Sequence, residues 1–134
     1  MTQFRVTEAA ALLGVSDDTV RRWIDAGRLA AVRDHAGRWV VGGRELAEFA
    51  RAHAEAPEIA GVASSSARNR LPGLVTRVER DGLMAQVELQ AGPFRLVSLM
   101  SREAADELGL EPGVLAVATV KATTVVVETP RSSA

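Results

Sequence analysis

The sequence predicts an α+β protein in two domains: a mainly helical N-terminal domain, and a C-terminal OB-like, five-stranded β-barrel with one short helix. Three observations carry this. Apolar residues recur at helical spacing through residues 6–54, then alternate with polar ones through much of 73–128. Between these stretches, Glu55-Ala56-Pro57 through Ala63-Ser64-Ser65 is small, polar and proline-containing, which is linker composition. A length of 134 residues at 47% hydrophobic content suits two small globular domains. The expected division is a domain at 1–55, a linker at 56–64 and a second domain at 65–130.

The first helix is expected over Glu8 to Leu13, capped by Thr7 and stopped by Gly14. Ser16 caps the second, and Asp17 and Asp18 sit in its first turn, where the helix dipole favours acids. Val20, Trp23 and Ile24 fall at i, i+3 and i+4 and form its buried stripe. Two short helices joined by a glycine-containing turn make a helix-turn-helix. Thr19, Arg21 and Arg22 then face away from the stripe, where a recognition helix carries its donors. Leu29 to Val32 and Arg38 to Val41 read as short strands around a turn at Asp34-His35-Ala36-Gly37. Arg33, His35 and Arg38 lie near its tip. Arg44 to Ala54 reads as a third helix, packing through Leu46, Phe49 and Ala50. His35 and His53 have no second ligand at helical spacing, so they are expected at a hairpin tip and on a helix surface rather than on a metal.

Val6-Thr7-Glu8-Ala9-Ala10, Leu13-Gly14-Val15-Ser16, Thr19-Val20-Arg21-Arg22-Trp23 and Gly27-Arg28-Leu29 closely resemble the winged helix-turn-helix of MerR-type regulators and phage excisionases. The resemblance covers roughly residues 4–52. It implies binding to double-stranded DNA, with the second helix in the major groove and the hairpin as a wing. The DNA-contacting set is then Ser16, Thr19, Arg21, Arg22, Arg33, His35 and Arg38. The long dimerising coiled coil of full-length MerR proteins is missing from this sequence, so self-association is expected from the C-terminal part.

In the second half, Gly73 to Glu79 reads as a strand and Arg80-Asp81-Gly82 as a turn. Leu83, Ala85, Val87 and Leu89 alternate with Met84, Gln86, Glu88 and Gln90. Ala91-Gly92-Pro93 turns the chain into a third strand, Phe94 to Met100. Ser101 caps a short helix, Arg102 to Leu108, which Gly109 stops. After the turn at Glu111-Pro112-Gly113, the last two strands are expected at Val114 to Val120 and Thr123 to Glu128.

Fifteen of the sixteen basic side chains are arginine, and the exception is Lys121. Lysine is a compact point charge and arginine a wide planar fork, so a lone lysine suggests a site whose geometry excludes the fork. Ser66-Ala67-Arg68-Asn69, Ser101 and Lys121-Ala122-Thr123 together offer two cations, hydroxyls and backbone N–H groups with no acid among them. Donors without carboxylates suit an oxyanion. The equally simple alternative is a linker and a solvated strand end.

Ser66-Ala67-Arg68-Asn69-Arg70-Leu71-Pro72-Gly73, Ala85-Gln86-Val87, Leu108-Gly109-Leu110-Glu111-Pro112-Gly113 and Val120-Lys121-Ala122-Thr123-Thr124-Val125 resemble the Mop, or TOBE, domain. This is the molybdate-binding domain of molbindins and ModE-type regulators, and the resemblance covers roughly 64–129. It implies molybdate, with tungstate as the alternative, held at interfaces between subunits or lobes by Ser66, Arg68, Ser101, Lys121, Ala122 and Thr123. Ser101 stands where the family more often has Thr, and Ala104 where some relatives place a Ser.

Net charge is −1, so any affinity for DNA rests on local placement of charge. There is no cysteine, and hence no disulfide, zinc-thiolate site or thiol nucleophile. No paired-carboxylate motif or phosphate loop of the GxxxxGK[ST] kind occurs, so no enzymatic activity is expected. The N-terminus lacks a signal-peptide core and no apolar run approaches a membrane span, so a cytoplasmic protein without a membrane partner is expected. The two resemblances together imply a molybdate-responsive transcriptional regulator of molybdate-uptake or molybdenum-enzyme genes, acting as a homodimer or a higher homo-oligomer such as a hexamer. The alternative is a molbindin-like molybdate store with an accessory N-terminal domain.

Overall fold

The computed structural model describes residues 2–56, 59 and 65–130. The chain forms two compact units, Met1–Ala56 and Pro57–Ala134. Of the expected linker 56–64, only Ala56 and Ile59 lie within the described residues.

The first unit runs β1 (Gln3–Arg5), α1 (Val6–Leu13), α2 (Asp17–Asp25), β2 (Val32–Arg33), β3 (Trp39–Gly42) and α3 (Gly43–His53). Helix α1 starts before Thr7, which does not cap it. The Glu8 carboxylate instead accepts from the Arg5 N–H at 3.0 Å and satisfies one of the exposed donors that precede the helix. Gly14, at φ 70°, ends it. The Ser16 Oγ caps α2 by accepting from the Thr19 N–H at 3.2 Å. Val20 and Ile24 are buried as the stripe requires, and Trp23 packs partly buried beside them. β1 has no counterpart in the sequence reading. It pairs antiparallel with β3, giving the order β1-β3-β2. Val6, Ala9, Ala10, Val20, Ile24, Leu29, Val41, Leu46 and Phe49 close one core that holds the helices and the hairpin in fixed relation.

The second unit runs β4 (Asn69–Asp81), β5 (Met84–Ala91), β6 (Phe94–Ser101), α4 (Arg102–Glu107) and β7 (Leu115–Val120), followed by a 3-10 turn at Ala122–Thr124. Its sheet has the order β6-β5-β4-β7 with every neighbour antiparallel. The α+β layout with one short helix is the expected one, but the sheet has four strands rather than five among the described residues. Thr123–Glu128, expected as the last strand, is in part the 3-10 turn and then, from an extended Val125, chain outside any sheet. A run of valines favours extended backbone, but a strand also needs a partner for its N–H and C=O groups, and among the described residues no segment pairs with this one.

β4 is long because it serves two partners. Leu74 to Asp81 pairs with β5, and Asn69 to Leu74 pairs with β7, with a bulge between Val75 and Arg77. Gly73 sits at the handover. A Cβ there would lie 2.6 Å from the Gln90 carbonyl oxygen and 3.2 Å from the Ala91 Cα, both backbone atoms that have nowhere to move. Gly73→Ala is therefore expected to cost about 1–3 kcal/mol. Calorimetry should show a melting transition lowered by roughly 4–8 °C per kcal/mol. Arg80 ties β4 to α4 and to the turn that follows it. Its guanidinium donates to Asp106 at 2.9 Å and Glu111 at 3.1 Å, and the Asp106 hydrogen bond pushes its pKa up.

Candidate functional site

In the first unit the exposed face of α2 is ordered by a chain of hydrogen bonds. Ser16 Oγ and Thr19 Oγ1 are 2.9 Å apart, and Arg22 Nη2 donates to Thr19 Oγ1 at 3.1 Å. Ser16 and Thr19 are thereby occupied with holding the helix start and Arg22. Arg21 pairs loosely with Asp18 at 3.7 Å, both side chains well exposed, so the pair is weak and easily exchanged.

The hairpin is built as a rigid arm. The Asp34 carboxylate accepts from the N–H groups of Ala36 and Arg38, each at 2.9 Å. Chiefly the Arg38 N–H holds its pKa below the usual carboxylate value. Arg33 lies over the Trp39 ring, 4.1 Å from its centroid, and donates to the Gly37 carbonyl at 2.6 Å. His35 is exposed at the tip. Arg21, Arg33 and Arg38 all line one open hollow of about 370 Å³, together with Arg5, Thr7 and Trp39. Of the four guanidiniums around this concavity, Arg38 is paired with Asp34 at 3.4 Å and Arg21 loosely with Asp18, while Arg5 and Arg33 have no carboxylate partner among the described residues, which leaves a local positive excess in a chain whose net charge is −1. Arg5 is absent from the expected set. Its position just before a helix start was the available signal, and only the pairing of β1 with β3 brings it beside the hairpin.

In the second unit the ladder ends with Asn69 opposite Val120, and the Asn69 Nδ2 donates to the Val120 carbonyl at 3.0 Å. Arg68 and Lys121 are the next residues out on the two chains, so they share one corner of the sheet. The loop before it is fixed by Ser65, whose Oγ accepts from the Ala67 N–H at 3.0 Å, and by burial of Ala67. Beyond it, Thr124 bonds the Lys121 carbonyl through both N–H (3.0 Å) and Oγ1 (2.9 Å), closing the 3-10 turn. The first N–H groups of such a turn, those of Ala122 and Thr123, have no partner inside it. Ser66, Arg68, Lys121, Ala122 and Thr123 are all exposed. Among the described residues no carboxylate pairs with Arg68 or Lys121, whereas Arg77, Arg80 and Arg95 of the same unit are each paired. The corner thus presents two unneutralised cations.

Residues 4–54 match the family model of a helix-turn-helix domain, and residues 65–127 that of the TOBE domain. The chain is a helix-turn-helix domain followed by a TOBE domain. No curated protein matches it. Solved structures similar to it align with about half of the chain. MopII from Clostridium pasteurianum is 36% identical over 49% of this chain and 100% of its own, with a TM-score of 0.46. A molybdate-binding protein from Sporomusa ovata is 28% identical over 50% of this chain and 100% of its own, with a TM-score of 0.48. The cytoplasmic molybdate-binding protein ModG, solved with molybdate bound, is 38% identical over 51% of this chain and 49% of its own, with a TM-score of 0.49.

Within the TOBE domain, Ser101 is not at the Arg68–Lys121 corner. It pairs with Met84, which pairs with Asp81, so it belongs to the opposite end of β4 from Asn69. Its Oγ accepts from the Ala104 N–H at 3.1 Å and caps α4, which leaves its own hydroxyl hydrogen free to donate. The TOBE fold thus gathers five of the six expected oxyanion contacts at one end and sets the sixth at the other. No described helix is long and apolar enough to cross a membrane.

Proposed function

We propose that this protein is a molybdate-responsive, DNA-binding transcriptional regulator. The observation that carries the oxyanion half is the register that sets Arg68 beside Lys121 with no carboxylate to neutralise either, in a domain similar to proteins named for binding molybdate. Molybdate and tungstate are tetrahedral dianions. Arg68 and Lys121 supply the two compensating charges, Ser66 and Thr123 supply hydroxyls, and Ala122 supplies an N–H. Ser101, at the far end of β4, reaches the same anion only from another copy, so the complete site is one shared between chains of a homodimer or higher homo-oligomer. Sulfate carries the same charge on a smaller body, so selectivity rests on the size of that shared cavity. This is also the role of a lysine in an arginine-rich chain: a point charge leaves room that a guanidinium fork would fill.

The DNA half rests on the hollow formed by Arg5, Arg21, Arg33 and Arg38 beside the free face of α2. Thr19, Arg21 and Arg22 enter the major groove in the manner of MerR-type proteins, and Arg33, His35 and Arg38 of the hairpin grip phosphate beside it. Anion binding between TOBE domains alters the arrangement of the copies and so the spacing of the two recognition helices on paired half-sites. Targets are molybdate-uptake or molybdenum-enzyme genes, and the setting is cytoplasmic. A storage protein needs no such arginine-lined surface, which favours the regulator over the store. The test is a gel shift with DNA from upstream of the gene, with and without molybdate. A sequence-specific shift that changes with molybdate is expected. No specific shift under either condition leaves the storage reading in its place.

A further inference from the structure

The hairpin between β2 and β3 carries one residue whose charge opposes that of its neighbours. From residue 26 to residue 44 the chain holds four arginines, Arg28, Arg33, Arg38 and Arg44, and a single acid, Asp34. Asp34 opens the hairpin tip, between Arg33 and His35. A carboxylate beside a polyanion is repelled, so an acid here weakens the attraction that the arginines create. Its geometry shows what it does instead. The side chain is only 18% exposed and is turned into the tip. One oxygen, Oδ1, accepts from the N–H groups of Ala36 and Arg38, each at 2.9 Å. The other, Oδ2, lies 3.4 Å from the Arg38 Nε. The Asp34 backbone closes the same loop. Its N–H donates to the Arg38 carbonyl at 2.8 Å, and its carbonyl accepts from the Gly37 N–H at 2.9 Å. Arg33 adds a bond across the tip, to the Gly37 carbonyl, while it lies over Trp39.

Resting on the reading of this unit as DNA-binding, we propose that Asp34 is a positioning residue. Its Oδ1, acting as a double acceptor and not as a charge, fixes the hairpin tip so that His35 and Arg38 meet the phosphate backbone already ordered. Without that acceptor the N–H groups of Ala36 and Arg38 turn to water, and the tip residues are ordered only at the moment of binding. A contact that is ordered beforehand loses less entropy on association. The charge works the other way. It repels phosphate and holds the Arg38 guanidinium close, although that pair is weak because the arginine side chain is half exposed. Two properties of one side chain thus act in opposite directions on DNA affinity, and substitution separates them. Asparagine keeps an acceptor oxygen that can bond the same two N–H groups, and it loses the charge. Alanine loses both.

Fluorescence anisotropy with the full chain and a labelled duplex from upstream of the gene compares Asp34→Asn and Asp34→Ala with the parent. Asp34→Asn should bind at least as tightly as the parent. Asp34→Ala has the same net charge as Asp34→Asn and should bind roughly tenfold more weakly than it, about the cost of ordering one further residue. Equal affinity of the two variants overturns the proposal, because the carboxylate then acts through its charge alone. Both variants should fold, since Asp34 lies outside the core of the unit. Hydrogen exchange on the free, unaltered chain decides the matter even if one does not. The amides of Ala36 and Arg38 should exchange slowly in the parent and in Asp34→Asn, and fast in Asp34→Ala. Free exchange of both amides in the parent overturns the proposal. A parent that binds no duplex removes the DNA-binding reading and this role with it. A parent that binds, with the two variants level, removes the role of Asp34 alone.

Discussion

Lys121→Ala is expected to leave the chain folded and to weaken molybdate binding roughly 30-fold or more. Removing one partner of a desolvated charge pair costs about 2–5 kcal/mol. The fold should tolerate it, because Lys121 is exposed and the turn it begins is held by its backbone carbonyl rather than its side chain. Arg68→Ala should behave alike, since the two cations share the corner beyond the Asn69–Val120 pair. Lys121→Arg is the sharper experiment. It keeps the charge and changes only the shape, so binding should fall with the charge intact. Titration calorimetry with molybdate reads all three. Unchanged affinity in both alanine variants removes the corner from the site, and parent-like binding by the arginine variant removes the size argument.

Arg21→Ala combined with Arg22→Ala should weaken specific DNA binding by about tenfold or more while molybdate affinity stays at the parent value. A lost base contact is worth about 1–3 kcal/mol, and each lost phosphate contact lowers the slope of log K against log salt by about 0.9. Titrating one duplex at several salt concentrations separates the two roles. A smaller slope with equal loss on all sequences assigns phosphate contacts, and a loss confined to the specific duplex assigns base contacts. Stability should change by less than about 0.5 kcal/mol, because the Arg21–Asp18 pair and the Arg22–Thr19 bond are exposed. Specific binding equal to that of the parent sinks the recognition-helix assignment.

Much of this was legible before any coordinates. The Ser16 cap, the Val20–Ile24 stripe, the Gly37 turn and the Ser101 cap are local devices, each written in a few adjacent residues, and each occurs where its pattern lies. Thr7 misled because Ser/Thr capping is a side-chain preference, and a glutamate three residues into the helix served the Arg5 N–H instead. β1 was missed because three residues carry no readable period, and its pairing with β3 is non-local. Arg5 was missed with it.

The last strand shows the same division between local pattern and partner. The valines at 125–127 have the composition of a strand, and nothing local says which edge they could pair with. The two cations of the corner were both named from motifs some fifty residues apart, and only the β4–β7 register made them neighbours. The same register carried Ser101 to the other end of β4. By itself, then, the sequence determined the elements, their caps and the residue types that hold charge, because those depend on side chains a turn or less away. The tertiary structure alone decided which of those residues meet, because long-range strand pairing fixes position through backbone hydrogen bonds that every residue type but proline offers alike.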